Sequence, residues 1–229
     1  MFAICFREFK SLFKSIRSLI IIGVILGVTL GAAKLVSSFQ SQLQEFGLGD
    51  SAYATGLLIL ILIASPLFVS TLTHSTINEE VKSRTIRFIA TKTSRENIVF
   101  GKFLGNLFFW IVCLFIALLL ITPFSKAFHV SELMEGIVFV SYFVGLSLLL
   151  STLIPKPGVT GFLGMAIAVI VPIVGLWSIA SENIFLKIYS YITPYYFFSH
   201  DNDFYIYIVL IYPIIFLAIS LITIRKRDL

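Results

Sequence analysis

Charge is scarce in this chain. Only 13% of its 229 residues are Asp, Glu, Lys or Arg, against about a quarter in an average soluble domain, and 58% are hydrophobic. That leaves too little polar surface to keep the chain in water, and a mean hydropathy of +1.00 places it among polytopic membrane proteins. Cysteine is nearly missing: Cys5 lies near the N-terminus and Cys113 deep in an apolar run, so no disulfide framework is available. A phosphate-cradling G-x-x-x-x-G-K-[S/T] loop is missing too, because Gly101-Lys102 is followed by Phe103 and lacks the upstream glycine. No apolar run holds an ionisable residue near its centre, which argues against ion-coupled transport.

What the sequence does contain is a set of long apolar blocks, and the fold class they predict is all-α, with six transmembrane helices. Residues 1–18 read as an amphipathic interfacial helix. Phe6, Phe9, Phe13 and Ile16 recur on one face, and Arg7, Lys10, Lys14 and Arg17 on another. The start superficially resembles a signal peptide, but 18 residues, including Glu8, precede a run long enough to span, so an uncleaved helix is predicted. The six-helix domain, 19–229, has spans near Leu19–Val36, Tyr53–Thr73, Phe103–Thr122 (ended by Pro123), Leu133–Ile154, Val159–Ile179 and Tyr205–Ile224. Pro66 removes one backbone donor from the second span and predicts a kink there. Gly23, Gly27 and Gly31 share one face of the first span, and Gly158, Gly161 and Gly164 form a second small-residue face; such faces let helices approach closely in lipid.

The net charge of +5 and pI near 9.2 do not indicate nucleic acid, since the basic residues fall between the apolar blocks. With the N-terminus cytoplasmic, inner segments hold fourteen basic residues and outer segments three (Lys34, Lys126 and Lys187), with seven of twelve acids outside. Both termini are therefore expected in the cytoplasm, and the expected location is the cell membrane.

One charged stretch interrupts the apolar pattern, Ile77 to Lys102, with six basic residues and Glu79, Glu80 and Glu96. It is longer than a turn between helices requires. Thr93 and Glu96 have capping-box spacing, which predicts a helix starting at Thr93 and running into the membrane. A short helix between two helical stalks is predicted here, able to turn a push from a soluble partner into tilting of the spans. The stretch resembles the first cytoplasmic loop of the type-2 ABC exporter permeases, whose pattern runs close to E-x-x-x-G-T, a short hydrophobic helix, T-P-x-S-R, an apolar triplet and G-K. The corresponding residues are Glu80, Thr85, Phe88-Ile89-Ala90, Thr91, Ser94-Arg95, Ile98-Val99-Phe100 and Gly101-Lys102. Arg84 stands where the family prefers glycine, Arg87 where an acid is common, and Lys92 where proline is usual.

The resemblance implies that 77–102 is a coupling loop. Glu79, Glu80, Arg84, Thr85, Arg87 and Phe88 would dock an ATP-binding subunit, and Arg95 and Lys102 would anchor the loop's return. ATP and Mg would be held by that subunit, in two copies, with no cofactor and no catalytic residue in this chain. A second permease subunit, identical or a paralogue, would meet the first and fifth spans. Residues 180–204 would form short re-entrant helices on the outer side, with Tyr189, Tyr191, Tyr195 and Tyr196 as a gate. The cargo would be an amphipathic peptide, an antibiotic or a lipid-like molecule. Another set of residues points elsewhere: Glu79-Glu80-x-x-x-Arg84 and His74-x-x-x-Asn78 also occur in CAAX-type intramembrane proteases, where a glutamate activates water. Their order is reversed here, and the glutamates lie in the wettest part of the chain, so docking is the preferred reading. His200, Asp201 and Asp203 read as a helix start and not as a metal site.

Overall fold

In the computed structural model, which describes residues 1–39, 51–86, 91–199 and 203–226, all the secondary structure is helical. The elements are α1 (Phe2–Lys14), α2 (Ile16–Ser38), α3 (Ser51–Thr73), α4 (Asn78–Lys82), α5 (Arg95–Ser125), α6 (Val130–Leu153), α7 (Pro157–Ala180), α8 (Ile184–Ile192) and α9 (Pro194–Phe198). A 3₁₀ segment, Asp203–Leu210, then leads into α10 (Ile211–Lys226). Among the described residues six helices are long and apolar enough to cross a bilayer: α2, α3 with its continuation, α5, α6, α7 and the Phe204–Lys226 segment. The protein is a multi-pass α-helical membrane protein.

The third span differs from expectation at both ends. Its helix is capped by Ser94, whose side chain accepts from Asn97 N at 3.3 Å, and not by Thr93. Glu96 turns outward to pair with Arg225. Pro123 does not end the helix, which runs on to Ser125 and closes at Lys126, in the left-handed conformation with φ 56°. One missing donor in the last turn costs less than exposing several unbonded carbonyls. At 31 residues α5 is about 46 Å long, some 16 Å more than the hydrocarbon core, so one end projects as a stalk.

The helix α6 occupies the centre of the bundle: 78% of its apolar window is buried, against 22–39% for the other five. It packs on α3, α5 and α10. Lipid tails are as apolar as leucine, so close approach decides which helices meet, and Ser141, Gly145, Ser147, Ser151 and Thr152 all lie among its buried residues.

The small-residue faces have different fates. Around Gly23, Gly27 and Gly31 there is open space within 4 Å, as there is at Gly158. Gly161 and Gly164 are occupied inside the chain, facing His74, just past the end of α3, and Ser70 of α3. The tightest approach of a glycine to another helix's backbone lies on a pair not singled out above. Gly101 and Gly105, one G-x-x-x-G on α5, bring α1 so close that a Cβ at Gly105 would stand 2.7 Å from the Cys5 carbonyl oxygen.

Candidate functional site

The charged loop folds onto one end of the bundle, and α4 is its organising element. The first backbone N–H groups of a helix have no partner within it. Here those of Ile77 and Asn78 donate to Ser151 Oγ of α6, at 2.9 and 3.2 Å. The fully buried Asn78 amide donates to Ile154 O at 3.1 Å and to Thr160 Oγ1 of α7 at 2.9 Å. The start of α4 is thereby bonded to two spans.

Its next turn reaches two more helices through charge. Lys102 is buried, its side chain only 2% exposed, and its Nζ lies 3.1 Å from Glu80 Oε1 and 3.3 Å from Glu8 Oε2. Arg7 donates to the same Glu80 oxygen. Two acids and two bases balance, which is the condition for keeping an ammonium out of water. The cluster ties α1 (Arg7, Glu8), α4 (Glu80) and α5 (Lys102) together.

The opposite side of the segment faces outward. Glu79, Lys82, Ser83, Arg84 and Thr85 are exposed. Glu79 accepts from Ser75 Oγ at 3.0 Å, and Arg84 holds φ 59°, a conformation that suits glycine better than a side chain. Two clefts flank this rim. One, of about 290 Å³, is walled by Glu8, Ser11, Arg17, Ser75 and Glu79; the other, of about 490 Å³, by Arg17, His74, Lys82, Ser83 and Gly158.

Of the eight loop residues singled out from sequence, Glu79, Arg84 and Thr85 lie on the rim, Glu80 turns inward, and Arg87 and Phe88 fall outside the described residues. Lys102 anchors from within the bundle. Arg95 anchors a different element: its Nη1 donates to the carbonyls of Ile224 and Arg225 at 3.1 and 3.2 Å, satisfying the end of α10. Sequence reading passed over Asn78 as structure, Ser151, Thr160, Glu8 and the Gly101/Gly105 pair; only the glycine spacing left a visible signal. As for the protease pattern, Glu80 is taken up by two cations, and His74 Nδ1 donates to the Ser70 and Thr71 carbonyls at 3.0 and 3.1 Å. Among the described residues no three His, Cys, Asp or Glu side chains gather as a metal site requires. His200 and Asp201 lie outside them.

At the other end, α8 and α9 fold back into the bundle. Tyr195 is 1% exposed and its hydroxyl donates at 2.8 Å to Leu62 O, midway along α3. That carbonyl would ordinarily bond residue 66, which is Pro66 and has no N–H. The tyrosine supplies the donor the proline lacks. Tyr189 is half-buried, Tyr191 is exposed, and the Tyr191 and Tyr196 rings meet at 4.5 Å. Tyr195→Phe is expected to destabilise the chain by about 1–2 kcal/mol, and Pro66→Ala, which restores a backbone donor, to remove most of that loss. Equal losses in the single and double variants on chemical unfolding in detergent would exclude the compensation.

No protein-family model and no curated protein matches this sequence.

Proposed function

We propose that this chain is the membrane-embedded, non-catalytic subunit of an ATP-driven exporter, with α4 and its exposed rim as the surface that receives a separate ATP-binding subunit. The observation that carries the reading is the mounting of α4. Its hydrogen bonds and ion pairs reach α1, α5, α6 and α7 at once, so a force applied to it is transmitted to three spans and the N-terminal helix. A loop serving only as a connector has no need of four anchors. Support also comes from Arg84, left-handed at the position where the resembled permease pattern carries glycine.

In this reading the loop end faces the cytoplasm of a cell-membrane protein, α1 lies along the inner surface, and ATP and Mg stay on the partner, present in two copies. A second permease subunit meets the open glycine face of α2 (Gly23, Gly27, Gly31), and the α8–α9 segment closes the outer exit. Cargo is an amphipath (peptide, antibiotic or lipid-like), consistent with spans that hold no mid-span charge. The test is affinity purification from native membranes. ATP hydrolysis should co-purify with the tagged chain and be lost, with helicity unchanged, on the paired charge reversal Lys82→Glu and Arg84→Glu. A preparation without associated ATPase, or one indifferent to those reversals, would overturn the reading.

A further inference from the structure

A second feature belongs neither to the loop nor to the exit segment. Between α1 and α5 runs a groove of about 540 Å³, within the range of small-ligand sites, and Phe2, Cys5, Phe6, Phe9, Phe108 and Val112 make up its lining. Among the described residues no charged side chain lines it. Burial pushes the Cys5 thiol up from its ordinary pKa, which favours the neutral form along this wall. Phe2, Phe6 and Phe108 stay 78%, 57% and 48% exposed, so the described residues leave the groove open.

The rim of the groove is cationic. Lys10 holds its Nζ 4.4 Å from the centroid of the Phe6 ring, one turn along α1, and Lys14 follows one turn further. Both are exposed, and neither forms an ion pair among the described residues. The acid of α1, Glu8, is engaged with Lys102 on the opposite side, and Arg7 with Glu80. The unopposed charge on α1 therefore stands beside the apolar groove.

We propose that this groove holds one acyl chain of an anionic phospholipid, with Lys10 meeting the headgroup phosphate. An apolar channel joined to an unpaired ammonium matches a molecule with a hydrocarbon tail and a negative head. The site depends only on the chain spanning a membrane and is independent of the exporter reading.

The experiment is native mass spectrometry of the delipidated full-length chain in detergent, titrated with phosphatidylglycerol or with phosphatidylcholine of the same chain lengths. The first phosphatidylglycerol is expected to bind about fivefold more tightly than phosphatidylcholine, the size of one lysine–headgroup attraction. Lys10→Gln should bring the ratio to about one, while Lys156→Gln, on the exposed turn before α7, should leave it unchanged. Phe6→Ser, at an exposed wall position, should weaken both lipids together. Equal affinity for the two lipids in the wild type, a preference that survives Lys10→Gln, or a dimer that binds no lipid would overturn the proposal.

Discussion

Replacing Lys102 by methionine is expected to destabilise the chain by about 3–5 kcal/mol, the usual penalty for leaving a buried charge without its partner. The change keeps length and volume but strands Glu8 and Glu80, both of which point at Nζ within 3.3 Å. Arg7 can compensate Glu80 in part, being already bonded to it and half exposed. Glu8 has no second cation in the cluster. The triple variant Glu8→Gln, Glu80→Gln and Lys102→Met, which removes charge from both sides, should recover most of the loss, because neutral groups of similar shape carry no such desolvation cost. Chemical unfolding in detergent measures both, and limited trypsin digestion at Lys10 and Lys14 reports whether α1 has come loose. A loss below about 1 kcal/mol for the single change, the value of a surface pair, would mean that the cluster is wetter than its burial implies.

The second large effect is expected at Gly105. A Cβ there meets the Cys5 carbonyl oxygen at 2.7 Å, Glu8 Cβ at 2.8 Å and the Phe9 backbone nitrogen at 3.3 Å. Two of those three atoms are backbone, so no rotamer change relieves the clash, and α1 must lift as a unit. Gly105→Val is expected to cost about 1–3 kcal/mol by overpacking and to pull Glu8 off Lys102, raising trypsin cleavage of α1 as Lys102→Met does. Gly27→Val supplies the contrast. It lies in open space and should change the stability of the isolated chain by less than about 0.5 kcal/mol. If the two glycines respond alike, α1 is not seated on α5 as described.

These two sites show where sequence reading succeeds and where it stops. The spans were legible because a bilayer demands about twenty apolar residues in a row, and each of the six expected stretches lies within or close to a helix of the structure. The boundaries at Thr93 and Pro123 were missed by local rules. Ser and Thr side by side are both favourable caps, and a proline in a last turn breaks only one bond. The exporter-like loop pattern could not tell the inward Glu80 from the outward Glu79, neighbours on different faces because a helix turns about 100° per residue.

By itself, then, the sequence determined the class of protein: an all-helical chain with six apolar runs, one charged interruption and glycines spaced for close packing. Hydropathy and periodicity are properties of neighbouring residues, so they can be read along the chain. The pairing of those features was decided only in three dimensions. Of three glycine faces with similar spacing, one seats α1, one meets α3 and one stays open. Lys102, which reads as a loop-end cation, became the buried centre of a four-residue cluster spanning residues 7 to 102, and the Leu62 carbonyl orphaned by Pro66 found Tyr195, 133 residues away. Such contacts depend on which helices lie side by side. In a membrane, where apolar surface hardly discriminates between neighbours, that choice falls to a few small, polar and charged side chains whose partners are remote in sequence.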